Sequence, residues 1–143
     1  MKTVRDVLRT KGNQVWSVTP DTTVYDALKL MADQNIGAVV VAEAGRLVGV
    51  LSEREYARQV VLRGRSSKAM PVREIMVSPV AFVGPQQSIE ECMALMTEKR
   101  VRHLPVLEND VLVGMLSIGD AVKAVIDEKE FLIEQLATYI QRG

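Results

Sequence analysis

The 143-residue chain has little of what protein chemistry usually draws on. One cysteine, Cys92, excludes an internal disulfide and leaves no thiol set for zinc. One histidine, His103, excludes a His-rich metal cluster, and no Ser–His–Asp set is suggested around it. Two Phe, three Tyr and one Trp are too few to interleave with basic residues as stacking platforms for nucleic acid. Lys plus Arg equal Asp plus Glu at 18 each, so no net field draws the chain onto nucleic acid or a membrane surface. No apolar run approaches the roughly 20 residues of a bilayer span. Met1–Gly12 is charged and lacks the apolar core of a signal peptide. Neither a Walker loop nor a Rossmann glycine fingerprint occurs. These absences predict a cytoplasmic protein that is not an enzyme, needs no metal, and has no membrane or nucleic-acid partner. With 48% hydrophobic and 25% charged residues the composition is that of a globular chain, long enough for one domain or two very small ones.

What the chain does have is an internal repeat. Leu47-Val-Gly-Val-Leu-Ser52 returns as Leu112-Val-Gly-Met-Leu-Ser117, an offset of 65. The same offset pairs Val18 with Val83, Pro20 with Pro85, Met31 with Met96 and Val41 with Val106, without a gap. Upstream, Val4-Arg-Asp-Val-Leu8 echoes Val72-Arg-Glu-Ile-Met76 at offset 68. A gapless register of this length marks a duplication.

Each copy carries the same run of periodicities. Thr22 or Thr23 caps a helix with Val24, Ala27, Leu28 and Met31 at helical spacing; Ser88 does so for Ile89, Cys92, Met93 and Met96. Two short apolar runs follow, 38–42 and 47–51 in one copy and 104–107 and 111–116 in the other, each joined by a tight polar turn. A short strand precedes the first helix (15–18 and 80–83), and a second helix starts at Ser52 or Ser117. The expected unit is βαββα. One such unit buries too little surface alone, so two should pack with pseudo-twofold symmetry and leave two equivalent clefts. Thr3 predicts a short first helix ending near Gly12.

Ser52-x-x-Glu55 and Ser117-x-x-Asp120 read first as capping boxes. The same geometry serves a nucleotide, because a helix start after a strand offers N–H groups to phosphate and a carboxylate one turn on can grip ribose hydroxyls. Asp120 stands where capping boxes prefer Glu or Gln, which tilts the second copy toward ligand duty.

Gly-h-h-Ser-x-x-Asp (h, apolar) after a hairpin, twice in tandem, resembles the nucleotide motif of the cystathionine β-synthase (CBS) domain, and two such domains form a Bateman module. Further likeness to small stand-alone CBS pairs lies in Ser52-Glu-Arg-Glu-Tyr-Ala-Arg58, Gly64-Arg-Ser-Ser-Lys68, Arg102-His-Leu-Pro105 and Ser117-Ile-Gly-Asp120. The resemblance implies an α+β fold of two tandem βαββα repeats, with domains at 8–67 and 76–132 and flanking helices at 1–11 and 133–143. It implies a sensor of adenine nucleotide, AMP foremost, with ATP, ADP or NAD(H) as further ligands and S-adenosylmethionine in some members. It also implies a homodimer that signals in trans to a protein effector. Carried over by residue, Asp120 holds ribose and Ser117 the ribose or phosphate side. Arg102 and His103 face phosphate, and adenine lies near Val80, Leu104 and Pro105, with Ile75 and Met76 closing the cleft. In the first copy Ser52 and Glu55 hold the equivalent places, Glu55 departs from the family Asp, and Gly37 and Ala38 replace the basic pair.

That first cleft could borrow charge from its surroundings. Residues 53–73 carry a net charge of +4, with Arg54, Arg58, Arg63, Arg65, Lys68 and Arg73. Ser66 and Ser67 add hydroxyls to Arg63 and Lys68 in a loop suited to phosphate. The tail from Ala121 to Ile140 is a long helix pattern whose end could pack against a second chain. The alternative function is a ligand-independent interaction or dimerisation module.

Overall fold

The computed structural model describes residues 1–142 and divides into two compact units. A first-repeat unit holds residues 15–81 with 110–112; a second-repeat unit holds residues 1–14, 82–109 and the chain from Val113 onward.

In the first-repeat unit β1 (Ser17–Val18) lies parallel to β2 (Ala38–Glu43), which pairs antiparallel with β3 (Arg46–Ser52). Ala44 and Gly45 both take positive φ (52° and 77°), as a two-residue hairpin that matches strand twist requires. Between β1 and β2 runs α2 (Val24–Gln34), started by the Thr23 hydroxyl accepting the Asp26 N–H and ended by Asn35 in the left-handed region. Its apolar face, Val24, Ala27 and Met31, packs with Val39, Val41 and Leu51 from the sheet, and Val60, Val72 and Ile75 complete the core. After β3 comes α3 (Glu53–Tyr56), a π-helical turn (Ala57–Val61) and a 3₁₀ turn (Val72–Glu74).

In the second-repeat unit α1 (Val4–Lys11) opens on a reciprocal capping box, Thr3 with Asp6, and ends at Gly12. There follow α4 (Ile89–Lys99), boxed by Ser88 and Glu91, and the hairpin of β4 (His103–Glu108) with β5 (Val111–Ser117). The 25-residue α5 (Ile118–Arg142) ends the chain. Leu8, Ile89, Cys92, Met96, Leu104, Val106 and Leu116 are buried. Burial, assisted by Glu91 and Glu90, pushes the Cys92 thiol up to about 11, so it serves as a small core hydrophobe.

The strand expected at 80–83 is not a strand. Only Val83 bridges β4, donating to the Pro105 carbonyl at 3.0 Å and accepting the Leu107 N–H at 2.9 Å. In the first repeat the Val40 N–H donates to the Trp16 carbonyl at 3.1 Å and so lengthens β1. Position 105, the counterpart of Val40, is proline and has no N–H for that bond.

The echoed segments upstream are crossed between the repeats. Val4 and Arg5 donate to the carbonyls of Gln87 and Pro85, both at 2.9 Å, so α1 is tied to the second repeat. Val72 and Arg73 donate to Thr22 and Pro20 at 2.8 and 3.1 Å, so their segment is tied to the first.

Candidate functional site

The glycine in each copy of the repeated phrase is explained by these crossed segments. A Cβ at Gly114 would stand 2.7 Å from a Leu8 methyl, and one at Gly49 would stand 2.6 Å from the Met76 sulfur. Both are under van der Waals contact, so each glycine is where a side chain from the echoed segment seats on the hairpin.

Three residues further on, each hairpin delivers its serine to a helix start. Ser117 and Asp120 cap each other: the Asp120 N–H donates to Ser117 Oγ at 3.1 Å, and the Ser117 N–H donates to Asp120 Oδ2 at 2.9 Å. The Ile118 N–H donates to the Arg102 carbonyl at 2.8 Å, which ties the start of α5 to the start of β4. Arg102 is exposed, His103 half-buried, and Leu104 and Pro105 are buried. The structure thus brings Ser117, Asp120, Arg102 and His103 together.

Lys11, which sequence reasoning missed, joins them from α1. Its Nζ donates to Asp120 Oδ2 at 2.6 Å and to the Met115 carbonyl at 2.7 Å. Side-chain exposures of 35% for Lys11 and 23% for Asp120 leave the pair accessible to solvent. Burial works to raise the Asp120 pKa, but the Lys11 and Ser117 hydrogen bonds outweigh it and hold the carboxyl below its ordinary value. His103 moves the other way in charge: burial first, then the Lys11 ammonium, lowers its pKa and keeps the ring neutral near neutral pH. No sequence signal links Lys11 to Asp120, 109 positions away; only the docking of α1 does so.

The first-repeat counterpart is simpler. Ser52 Oγ accepts the Glu55 N–H at 3.3 Å and caps α3, and the Glu53 N–H donates to the Gly37 carbonyl at 3.0 Å, the same tie as Ile118 to Arg102. Ala38 is buried; Arg54 and Glu55 are half-buried. In the loop that follows, Arg63, Ser66 and Lys68 are exposed. The Ser67 and Met70 carbonyls accept the first N–H groups of α2, from Tyr25 and Val24 at 3.1 and 2.8 Å. Arg65 pairs with Glu74 at 3.7 Å and Arg73 with Asp21, so part of the positive charge is spent within the unit. Met76 and Val80 belong to this unit as well, and Ile75 lies in its core, where it has no ligand-facing surface to offer.

Among the described residues no three His, Cys, Asp or Glu side chains cluster as a metal site, and no helix is long and apolar enough to cross a membrane.

A family model described as CBS domain matches residues 4–61 and 72–127. The CBS domain-containing protein CBSX3 of Arabidopsis thaliana, designated mitochondrial, is 40% identical over 99% of this chain and 73% of its own. YhcV of Bacillus subtilis is 35% identical over 84% of this chain and 83% of its own. Among solved structures, a CBS-domain protein of Burkholderia ambifaria, named for signal transduction, superposes with a TM-score of 0.85 at 51% identity, covering 88% of this chain and 95% of that one. The hexameric CBS-CP12 protein of bloom-forming cyanobacteria superposes at 0.76 with 26% identity, covering 85% of this chain and 70% of that one.

Proposed function

Because this chain belongs to the CBS-domain family, we propose that it is a regulatory module that binds an adenine nucleotide at the second repeat and passes the change to a protein effector. The carrying observation is the group at the start of α5: an ionised carboxylate, Asp120, beside an ammonium, Lys11, both open to solvent. The contacts of Asp120 land on Oδ2, which leaves Oδ1 to accept ribose hydroxyls. An ammonium has three N–H donors, and Lys11 uses two, so the third can meet a phosphate oxygen with Arg102 nearby. AMP is the first ligand to try, then ADP, ATP, NAD(H) and S-adenosylmethionine; no metal and no catalytic step enters. The signal-transduction name of the Burkholderia protein supports the regulatory half of the reading. We take the chain to act as a homodimer in the cytoplasm, the hexameric cyanobacterial neighbour being a precedent for assembly. A ligand signals only by its differential affinity for two arrangements of the protein.

A second reading has its own support. Ser117, Asp120 and Lys11 are bonded to one another, as the members of a purely structural cap would be. The test is a thermal-shift panel of those nucleotides on the wild type and on Asp120→Asn, which keeps an acceptor for the cap. At 100 times its dissociation constant a ligand adds about 2.7 kcal/mol, or several degrees. The expected result is a shift with one nucleotide that Asp120→Asn loses. No shift with any of them makes the chain a ligand-independent interaction module.

A further inference from the structure

Leu8, seated on Gly114, divides α1 into two flanks. At about 100° per residue the helix sets Lys11 to one side of Leu8 and Arg5 and Arg9 to the other. On that second side a cavity of about 160 Å³ opens within the second-repeat unit. Its floor is apolar, with Leu8 and Pro85 buried and Val113 half-buried. Its rim is polar, formed by Arg5, Arg9, Asn13 and Glu108. Arg5 Nη2 donates to Glu108 Oε2 at 2.7 Å, which holds one guanidinium at the rim. Arg9 stands 3.9 Å from Asp6, beyond hydrogen-bond distance, and its side chain is 73% exposed. Val113 lies four residues before Ser117 on β5, roughly 13 Å along the strand, so the cavity is separate from the group around Asp120.

We propose that this cavity binds a small monocarboxylate with a short apolar body, of the kind of a branched-chain hydroxy acid. At about 30 Å³ for each water its volume takes about five water-sized groups, and drug-sized pockets begin near roughly 300 Å³, so no nucleotide fits. Two guanidinium groups and one carboxylate leave the lining with a single positive charge, which one negative charge on the ligand matches. A phosphate dianion would exceed that balance and meet repulsion from Glu108. A guanidinium has five N–H donors in a planar fork that fits a carboxylate, and Arg5 gives one of them to Glu108. Arg9 and the Asn13 amide close on the same ligand carboxylate. Glu108 Oε1 accepts the ligand hydroxyl, and the hydrocarbon lies on Leu8, Pro85 and Val113, where its burial is favourable. The site shares only α1 with the nucleotide reading and does not depend on it.

The experiment titrates α-hydroxyisovalerate into the isotope-labelled full chain and follows the backbone amides by NMR. Saturable shifts are expected along α1 and at Glu108 and Val113. Arg9→Ala removes a cation from the rim and Val113→Phe fills the floor, and each should weaken binding about tenfold or more. Arg46→Ala, which removes an exposed arginine of the first repeat, should leave binding unchanged. Arg9 is exposed, so its variant decides the matter even where Val113→Phe disturbs the hairpin. Binding that survives Arg9→Ala at full strength overturns the site, as does the absence of saturable shifts with both α-hydroxyisovalerate and isobutyrate. Inorganic phosphate that shifts the same amides as strongly makes this a general anion site and overturns the monocarboxylate assignment. Isobutanol that does so makes it an apolar hollow and overturns the assignment from the other side.

Discussion

In the first repeat the Val50 carbonyl accepts the Val77 N–H at 2.9 Å; in the second, the equivalent carbonyl, Met115, accepts the Lys11 ammonium at 2.7 Å. The two segments that supply these donors are echoes of each other, yet they fold differently. Thr3 has a hydroxyl to cap Asp6, so Val4–Lys11 is a full helix that carries its terminal lysine to Asp120. Pro71 stands in the place of Thr3 and offers no side-chain cap, so Val72–Glu74 makes a single 3₁₀ turn, after which Val77 pairs with β3 as extended chain. The counterpart of Lys11 at the offset of 68 is Pro79, so this segment brings a cation to the Ser-x-x-acid box of the second repeat and none to that of the first. The lesson is that duplicated motifs diverge in function through the segments packed on them as much as through their own residues.

The largest break in this comparison should come from the seat of α1. Leu8→Ala should cost about 2–5 kcal/mol, because Leu8 is buried against Gly114. Gly114→Ala alone should cost about 1–3 kcal/mol through overpacking. In urea denaturation the double variant should cost less than the two singles together, since the smaller side chain relieves the clash; strict additivity would show that the two do not touch.

Val40→Pro gives the first repeat what the second already has. It removes the donor to the Trp16 carbonyl and should cost about 1–3 kcal/mol by chemical denaturation, and a neutral result would mean that β1 contributes nothing to stability. Serine caps come next. Ser117→Ala should cost about 0.5–2 kcal/mol, more than Ser52→Ala, because the Ser117 Oγ accepts its cap N–H at 3.1 Å and the Ser52 Oγ accepts its own at 3.3 Å. Equal losses would put the two boxes on the same footing.

The smallest effect is a pH dependence confined to the second repeat. His103 has a folded pKa below its usual 6.5, so the unfolded chain takes up the proton first. Stability is therefore full above pH 6.5 and falls as the pH drops from there toward the folded value. His103→Gln should flatten thermal melts across that window, and a slope unchanged in the variant would assign it elsewhere. Asp120 acts lower on the scale: its contribution is complete above the ordinary value of 3.8 and is lost as the pH falls through its lowered folded pKa.

Much of this was legible in the residues. The helix starts at Thr3, Thr23, Ser52 and Ser88, and both hairpins, are local: they follow from a hydroxyl before an apolar period and from two-residue turns at 44–45 and 109–110. The pairing of Ser117 with Asp120 was legible for the same reason, being a contact over three residues. The shortened strand before α4 could have been foreseen from Pro105, had its missing N–H been set against Val40. Lys11 could not, and neither could the lowered pKa of His103, which depends on burial and on the charge of that same lysine.

By itself the sequence determined the repeat, the order of helices and strands within it, and the placing of a serine and an acid at each second helix. These depend on spacings of two to four residues, within which backbone hydrogen bonding and side-chain capping are settled by near neighbours. Only the tertiary structure decided that each echoed segment docks on the other copy's hairpin and that Asp120 is shared between a cap and an ammonium. It alone also left one stripe of α5 uncovered. Those outcomes depend on which surfaces meet across a hundred residues of chain, where the energies are those of packing and desolvation and no local spacing records them.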